Sequence, residues 1–570
     1  MKNQKLELTW IGKNKKNIIE PRILIEDKSK SYGDANTQNM LIHGDNLLAL
    51  KALEQDYTGK VNCIYIDPPY NTGSAFENYD DNLEHSIWLN LMKSRLEILR
   101  KLLAENGSIA VQIGYDEMAY LKVLMDEIFG RNNCFGQVAV RMSHSAGMKR
   151  KAADKRLIKN TEYILFYYKE KLPEIKPIYE ISYEYPVNYY QYIVEFPSEN
   201  RVGKYINFID ILYKNFQIEF EKYGLNKNND AIKFLFSNSQ DVRNFVMKNK
   251  SLIVRKDSNA PKVDINVEVN ENEFVEYWAG NIKYYIGKNN KGNIYQIYSL
   301  EDKIKEIEMI DEDGNIKKVE AVTNLVGDWW DNFYKDMSRV DIEGNVKMKT
   351  SKKPERLIYR ILNLLTKPGD LVLDSFLGSG TTAAVAQKMH RNWIGIELGE
   401  HCYTLSKRRI DNVINGDDTG ISKITNWKGG GGYKFYELAP SLLVKDKFNN
   451  WIISENYNGE LLAKAICKQE EFTYLPDNNY YWKQGKSSEN DYIYVTTNYI
   501  SLEYLQNIKE EMKDDESLLI CCKAYQEECE GKYDNITIKK IPQSILNNCE
   551  YGRDDYSLNI EEILEVDENE

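Results

Sequence analysis

The chain has 570 residues, of which 42% are hydrophobic and 28% charged, and its net charge is −12 at pH 7. This length predicts a globular protein of three or four packed units, because one hydrophobic core rarely organises so many residues. No run of eighteen apolar residues and no signal-peptide pattern occurs, so no membrane segment is expected and a cytoplasmic protein is predicted. The eight cysteines form no CxxC pair, which argues against a zinc or other metal site and against a disulfide framework.

The charge is distributed unevenly along the chain. Between Arg141 and Asn160 there are seven basic residues and one acid, whereas the last twenty residues carry eight acids and one arginine. Nucleic-acid binding needs clustered Lys and Arg, so the acidic total argues mildly against it while the basic stretch Lys149–Lys159 is compatible with phosphate contacts. A solvated helix face explains such a stretch equally well.

A first α/β segment is predicted over about residues 41–169, because strand-like and helix-like patterns alternate there. Its expected elements are a strand at Val61–Ile66, a helix at Ile87–Ala104, a turn at Glu105–Gly107, a strand at Ser108–Ile113, a helix at Leu121–Phe129 and a strand at Glu162–Tyr168.

The next region is rich in Tyr, Asn and Lys and lacks sustained α/β alternation. Short strands are expected in NENEFVEYWAGNIKYYIG and GNIYQIYSL, and Asp313-Gly314 predicts a hairpin turn. We interpret this region as an inserted domain.

A second α/β segment follows at about residues 354–412. Its predicted elements are a helix at Glu355–Leu365, a strand at Leu371–Asp374, a glycine-rich loop, a helix at Thr381–Met389 and a strand at Trp393–Glu397. The run Gly429–Gly432 predicts a boundary, beyond which strands at 493–497, 517–522 and 536–541 and a helix at Leu505–Met512 indicate a small α/β domain. The expected segments are therefore 1–35, 36–170, 171–322 (the insertion), 323–428 and 429–570.

The strand–loop–helix LVLDSFLGSGTTAAVA places Gly378, Gly380 and Ala383 at the spacing of a dinucleotide-type loop, and Glu397 ends the following strand. Glycines let a ligand approach the backbone, and a carboxylate at that distance can accept ribose hydroxyls. The motif alone suits NAD, FAD or S-adenosylmethionine equally, and a tight turn without a ligand is the structural alternative.

The motif Asp67-Pro68-Pro69-Tyr70 ends the buried strand Ile64–Ile66. The proline rings fix φ, so the carbonyls of Asp67 and Pro68 are held in one direction beside a carboxylate. These two acceptors can hold the hydrogens of an amino group and favour a pyramidal nitrogen able to attack a methyl sulfonium, and Tyr70 offers a flat face for a base turned out of a duplex. The alternative is a strand that simply ends in a proline turn.

Together, DPPY followed by FLGSGTT resembles the beta-class amino-methyltransferases. The segments LIHGDNLLALKAL, YIDPPYNTG, TEYILFYYK, KKPERLIYRIL and GGGGYKFYELAPSLL more specifically resemble modification subunits of type III restriction–modification systems, over most of residues 36–445 outside the insertion. The segment Ile113–Glu117 departs from the pattern, which often has a second acid after the isoleucine. The resemblance implies a Rossmann-like sheet with circularly permuted motif order, and adenine-N6 methylation of double-stranded DNA with S-adenosylmethionine as cofactor.

The resemblance also implies residue roles. Asp67 and Pro68 bind the target amine within the motif that Pro69 completes, and Tyr70 stacks on the base. The cofactor is expected to contact Asp45, Lys353, Pro354, Asp374, Phe376, Gly378, Gly380, Thr381 and Glu397. In this set Lys353 and Pro354 close over the methionine carboxylate, Glu397 takes the ribose hydroxyls, and Asp45 reads the adenine edge. For Asp45, an N-cap of the helix that follows is the competing interpretation.

Three functional questions stay open at this point. Cytosine-N4 methylation shares the fold, although cytosine enzymes of this type more often have a serine where Asp67 stands. A DNA-binding specificity subunit with an inactive site, or a solitary methyltransferase, would explain the same domains. No G-x-x-x-x-G-K-[ST] loop for an ATP-driven motor occurs, so the resemblance implies a separate restriction subunit and a homodimeric modification enzyme, with the insertion as target-recognition domain.

Overall fold

The computed structural model describes residues 7–14, 19–71, 85–144, 157–195, 202–257, 273–279, 282–288, 294–310, 316–348, 352–488 and 490–542. The chain forms two compact units. One comprises Met1–Lys176 and Asp328–Glu570, and the other comprises Pro177–Gly327. Within the described ranges, no helix is both long and apolar enough to cross a membrane.

The described part of the first unit begins with seven strands and three α-helices. They are β1 (Leu24–Glu26), β2 (Tyr32–Gly33), β3 (Met40–His43), α1 (Asn46–Tyr57), β4 (Val61–Ile66), α2 (His85–Leu102), β5 (Leu103–Ile113), α3 (Met118–Met125), β6 (Cys134–Arg141) and β7 (Thr161–Tyr168).

The second unit contains nine strands and four helices in its described part. They are β8 (Tyr179–Ile181), β9 (Tyr192–Glu195), β10 (Val202–Asn207), α4 (Phe208–Asn215), α5 (Gln217–Lys222), α6 (Asn229–Asn238), α7 (Gln240–Lys248), β11 (Ile253–Asp257), β12 (Glu273–Ala279), β13 (Ile282–Lys288), β14 (Ile294–Ser299), β15 (Ile304–Ile310) and β16 (Ile316–Leu325).

The chain then returns to the first unit. Its remaining elements are β17 (Trp329–Trp330), α8 (Phe333–Asp336), α9 (Glu355–Leu365), β18 (Leu371–Asp374), α10 (Thr381–Lys388), β19 (Asn392–Glu397), α11 (Arg408–Ile414), β20 (Gly432–Leu438), β21 (Leu443–Lys445), β22 (Trp451–Ile453), α12 (Gly459–Gln469), β23 (Thr473–Tyr474), β24 (Gly485–Ser488), β25 (Asp491–Ile500), α13 (Leu502–Glu511), β26 (Ser517–Tyr525) and β27 (Ile536–Lys540).

One eleven-stranded sheet organises the first unit, in the order β1-β20-β3-β19-β18-β4-β5-β7-β6-β17, with β2 on β20. The strands from β20 to β5 are mutually parallel, whereas β7 is antiparallel to both β5 and β6. Strands β4 and β18 are buried apolar runs, as expected for a parallel sheet covered by helices on both faces. The predicted α/β sheet is confirmed, and the strand that leads into the DPPY motif precedes in the chain the strand that leads into the glycine loop.

Several predicted elements match closely. Helix α9 and strand β18 have the predicted bounds. The predicted turn at Glu105–Gly107 lies within β5 (Leu103–Ile113), where the register with β4 shifts between Val61 and Cys63, so these residues leave the ladder locally without ending the strand. A Cβ at Gly107 would come within 2.8 Å of the Val61 carbonyl, so this close approach explains the glycine.

The second unit contains a closed barrel of strands in the order β10-β12-β13-β14-β11-β9 and a three-stranded sheet β15-β16-β8. The predicted hairpin is confirmed by the pairing of β15 with β16, while its turn at Asp313-Gly314 lies outside the described residues. Helices α4 to α7 were not predicted. They are short and rich in Asn and Lys, but Leu212, Leu235 and Val246 lie in one buried cluster.

The C-terminal part of the first unit forms a five-stranded sheet, β23-β24-β25-β26-β27, with α12 and α13. Its three predicted strands and its predicted helix are present, whereas α12 was not predicted. Strand β20 follows the glycine run at which a boundary was placed, and it pairs with β3 in the large sheet. Ile23 and Leu443 share a buried cluster with Ile466 of α12, so the N-terminal and C-terminal segments pack into one core.

Candidate active site

Two loops meet at one edge of the large sheet. Strand β4 ends immediately before Asp67 and β18 ends at Asp374, and the two strands are parallel neighbours, with Leu373 opposite Ile64. From this point β18 continues through α10 to β19 on one side, and β4 continues through α2 to β5 on the other. The crevice outside the carboxyl ends of strands at such a switch point is where open α/β sheets bind ligands.

The described part of the loop after β4 is held by a contact within it and by contacts with Trp88 and Glu117. The hydroxyl of Tyr70 lies 2.8 Å from Oδ1 of Asp67, and the indole of Trp88 donates to the carbonyl of Pro69 at 2.9 Å. Asn71 has φ 55° and donates to the buried carboxylate of Glu117. The prolines fix φ, and these contacts hold residues 67–71 in place.

Two further charged side chains complete the surroundings of Asp67. Nζ of Lys353 lies 3.1 Å from Oδ2 of Asp67 and 3.2 Å from Oε2 of Glu162. The hydroxyl of Tyr70 is 2.7 Å from the same Oε2, and Gln112 donates to it at 2.5 Å. Lys353 also lies 4.8 Å from the centre of the Tyr70 ring. The side chains of Asp67, Glu162 and Lys353 are 15%, 22% and 9% exposed.

This arrangement changes the acidity of each group. Burial raises the pKa of Asp67 to about 6, and the negative charge of Glu162 adds to the effect while Lys353 opposes it. Burial also acts to raise the pKa of Glu162, but Lys353, Tyr70 and Gln112 outweigh it and lower that pKa. Both carboxylates raise the pKa of Lys353 against the opposing effect of its burial. Of the two carboxyl groups, Asp67 is therefore the one that takes a proton first, as the pH falls through about 6.

The glycine loop after β18 is shaped by two residues of positive φ. Gly378 has φ 56° and Gly380 φ 81°. A Cβ on Gly378 would meet no atom within 4 Å, whereas one on Gly380 would approach the Cα of Ser406 at 3.2 Å. The loop therefore packs against the protein at Gly380 and borders open space at Gly378.

The carboxylates of Glu397 and Asp374 hold this loop in place through hydrogen bonds. The N–H of Gly378 donates to Oε2 of Glu397 at 2.5 Å, and the N–H of Leu398 donates to its Oε1 at 2.9 Å. Asp374 accepts from the N–H of Phe376 at 2.9 Å and from the hydroxyl of Thr382 at 2.6 Å. Burial raises the pKa of Asp374 to about 7.

The remaining predicted cofactor residues lie close to these loops. Asp45 caps α1 by accepting from the N–H of Leu48 at 3.0 Å, as its competing interpretation expects. Pro354 precedes α9 and adjoins Lys353. The hydroxyl of Thr381 lies 3.3 Å from the carbonyl of Lys353, which ties the glycine loop to that segment.

A buried network of ion pairs contacts Thr381 through Arg409. Arg409 donates to the hydroxyl of Thr381 at 2.7 Å and to Glu355 at 2.9 Å. Lys388 is fully buried and donates to Glu355 at 2.9 Å and to Asp417 at 2.7 Å. Each cation thus faces a carboxylate, as buried charges require.

Sequence reasoning assigned no role to Glu162, Gln112 or Arg409. Glu162 stands alone as an acid near the start of the otherwise apolar strand β7, which is the one signal that the sequence offers. The basic stretch Lys149–Lys159 lies mostly outside the described residues. Its described end, Lys159, pairs with Asp116 at 2.6 Å.

The fold and this pair of loops define an α/β methyltransferase domain, and the comparisons with known proteins agree. A model of a family described as DNA methylase, covering N6 and N4 methyltransferases, matches residues 61–408. The chain belongs to this family.

Two curated relatives are modification subunits. One, named "Probable type III restriction-modification enzyme HindVI Mod subunit", from Haemophilus influenzae, is 36% identical over 72% of this chain and 55% of its own length. The EcoPI Mod subunit of Escherichia phage P1 is 26% identical over 72% of this chain and 67% of its own length. The chain thus spans about half the length of the first of these relatives.

Solved structures of DNA methyltransferases also align. The M1.HpyAVI–SAM complex matches with 15% identity and a TM-score of 0.28, over 65% of this chain and 99% of that one. The cytosine-N4-specific PvuII methyltransferase matches with 14% identity and a TM-score of 0.31, over 69% and 92%. Scores this low support no conclusion beyond those drawn from the sheet itself.

Proposed function

We propose that this chain is a site-specific DNA methyltransferase that transfers a methyl group from S-adenosylmethionine to the N6 amine of adenine. The observation that carries this proposal is the adjacency of Asp67-Pro68-Pro69-Tyr70 and the Gly378 loop at one switch point of the sheet. One motif supplies acceptors for an amine, and the other borders open space for a cofactor.

The loop after β18 fits S-adenosylmethionine on two grounds. The open space beside Gly378 lets a ligand approach the backbone, and Glu397 is oriented beside it by two N–H groups. The raised pKa of Asp374 shows a buried carboxyl that a cationic ligand would stabilise in its charged form. When bound, this cofactor supplies an activated methyl group. Glu397 would hold the ribose hydroxyls, while Asp374, Phe376 and Thr381 would surround the amino-acid end.

The residues after β4 would act on the base. Asp67 and the carbonyl of Pro68 accept the two amine hydrogens, and the Tyr70 ring stacks on a base turned out of the duplex. Each carboxylate oxygen of Asp67 already has one contact, with Tyr70 or Lys353, and keeps a second acceptor site for the amine. Held in this way, the amine nitrogen would take up the methyl group that the cofactor supplies, and one amine proton would pass to solvent.

The test is to express this chain alone in cells whose DNA lacks adenine methylation and to map modified bases by sequencing. N6-methyladenine at one sequence motif is expected, and it should disappear with Asp67→Ala. N4-methylcytosine at a motif would overturn the choice of base while leaving the enzyme class intact. Unmodified DNA, with folded and cofactor-binding protein, would contradict the proposal.

We propose that the unit Pro177–Gly327 recognises the target sequence, since the methyltransferase domain alone would contact phosphates and the one base turned out of the duplex. Exchanging this unit for that of a relative should change the methylated sequence and leave the chemistry intact. A swapped enzyme that keeps its original site would place recognition elsewhere in the chain.

A separate restriction subunit is proposed as partner of a homodimer of this chain, on the strength of the relatives named as type III Mod subunits. The five-stranded C-terminal sheet is the proposed docking region, because no motif of the reaction falls in it. The purified chain should methylate DNA without hydrolysing ATP or cutting DNA. ATP-dependent cleavage by the purified chain would contradict a separate subunit, and a single-chain mass in light scattering would contradict the dimer.

A further inference from the structure

Glu162 contacts the proposed catalytic groups but has no part in the function proposed above. The antiparallel pairing of β7 with β5 sets Gln112 opposite Ile164, which brings Glu162 beside the carboxyl ends of the central strands. There the Oε2 atom of Glu162 lies 2.5 Å from the amide nitrogen of Gln112, 2.7 Å from the hydroxyl of Tyr70 and 3.2 Å from Nζ of Lys353. A carboxylate with so many donors is held in one position.

Asp67 and Glu162 share one hydroxyl proton, that of Tyr70, and one cation, that of Lys353. The single phenol proton of Tyr70 can be donated to Asp67 or to Glu162, but not to both, although its oxygen lies within 2.8 Å of each. Lys353 is one cation for two carboxylates. Among the described residues, Tyr65 and Asp374 also interact electrostatically with this cluster, and neither is a cation. When Glu162 takes the phenol proton, the Tyr70 oxygen is left to face Asp67 as an acceptor, which favours a proton on Asp67.

Resting on the proposed function, we propose that Glu162 is a positioning residue for methyl transfer, which holds Tyr70 and Lys353 against Asp67 and governs whether Asp67 carries a proton. Only the ionised carboxylate offers a free acceptor on both oxygens to the target amine. Glu162 thereby sets the pH below which the enzyme stops working, and Lys353 acts in the opposite direction.

The experiment measures single-turnover transfer of labelled methyl groups from S-adenosylmethionine, saturating at every pH, to DNA carrying the site mapped by sequencing, between pH 5 and 9. Wild type should lose activity on the acid side near pH 6, where Asp67 takes up a proton. In Glu162→Gln the negative neighbour is lost, so the acid limb should move to lower pH by about one unit. In Lys353→Met the cation is lost, so the limb should move to higher pH.

Glu105→Gln is the matched control. It also removes one carboxylate from the strands β5 and β7, but Glu105 is exposed near the start of β5, far along the strand from Gln112. Its profile should coincide with that of wild type. A merely structural role of Glu162 would lower the rate equally at every pH without moving the limb.

Coincident limbs in wild type and Glu162→Gln, or a shift to higher pH, would overturn the inference. Should Glu162→Gln fail to fold, Glu162→Asp takes its place, since the shorter side chain moves the carboxylate away from Tyr70 and Lys353, and an acid limb that stays in place overturns the inference. These outcomes leave the proposed function standing. That function fails separately if folded wild type transfers no methyl group at any pH.

Discussion

The N–H of Gly378 and Oε2 of Glu397 lie 2.5 Å apart, so the carboxylate at the end of β19 fixes the backbone of the loop after β18. Glu397 also accepts from Leu398 with its second oxygen. In Glu397→Ala both N–H groups lose their partner, at a cost of about 1–3 kcal/mol each. We expect calorimetry to show S-adenosylmethionine binding at least about tenfold weaker.

Glu397→Gln keeps one acceptor and should be intermediate between wild type and Glu397→Ala. Glu400→Gln, at an exposed position in the following turn, serves as control and should bind normally. Wild-type affinity in Glu397→Ala would remove Glu397 from the cofactor site.

Substitution by alanine should have different effects at Gly378 and at Gly380. Alanine at either position has an unfavourable positive φ that costs about 1–2 kcal/mol. Gly380→Ala also crowds the backbone of Ser406, whereas Gly378→Ala points into open space. We expect Gly380→Ala to lower the thermal midpoint more, and Gly378→Ala to weaken cofactor binding out of proportion to its stability loss. Equal effects of both variants on binding and stability would contradict this division.

Asp67→Asn should abolish methyl transfer and leave S-adenosylmethionine binding intact, because the change replaces an acceptor by an amide that can also donate. Tyr70→Phe keeps the ring but loses the hydroxyl contacts to Asp67 and Glu162, so it should retain more activity than Tyr70→Ala. Transfer rates and calorimetric affinities on the same preparations give the comparison. Near-normal turnover of Asp67→Asn would remove this residue from the reaction.

Cofactor binding should depend on pH through Asp374. Its pKa is raised to about 7 without ligand, and a cationic ligand favours the ionised carboxylate. Affinity should therefore be full above pH 7 and fall as the pH is lowered through 7, by about tenfold between pH 8 and pH 6. Calorimetry across this range tests the expectation. The dependence should vanish in Asp374→Asn and persist in Asp67→Asn, and a flat profile in wild type would refute it.

Lys388→Met should destabilise the fold strongly. The change leaves Glu355 and Asp417 buried without this cation, and breaking a buried pair in this way costs about 3–5 kcal/mol. Lys407→Met is the control, since its partly exposed pair with Asp411 is worth about 1 kcal/mol or less. Urea midpoints followed by circular dichroism compare the two, and similar midpoints would show that the buried network contributes little.

Helices and strands were predictable from sequence where the spacing of apolar residues matches the face that is buried. Helix α9 places Leu357, Ile361 and Leu365 on one buried face, and Glu355 and Leu365 were its predicted ends. In the insertion, α6 and α7 were missed although Ile232, Phe236 and Val242 are buried, because these helices of ten and nine residues lie in a Tyr-, Asn- and Lys-rich region that was interpreted as short strands.

The motifs after β4 and β18 could be found locally, since each is a strand followed directly by its functional loop. Glu162 could not, because its position depends on the register between β5 and β7. The placement of Lys353 beside Asp67 is likewise a tertiary fact. The resemblance placed Lys353 near the methionine carboxylate of the cofactor. That role stays a prediction, whereas the contact of Lys353 with Asp67 is seen in the structure.

The order of strands in the large sheet has a consequence for biosynthesis. Strand β4 pairs with β18, yet the whole second unit and helix α9 are translated between them. Until β18 emerges from the ribosome, β4 keeps one long edge unpaired, and such edges invite association with other chains. Pairing partners so distant in sequence also slow folding. The centre of the enzyme is therefore assembled late, after the inserted unit has had time to close its barrel.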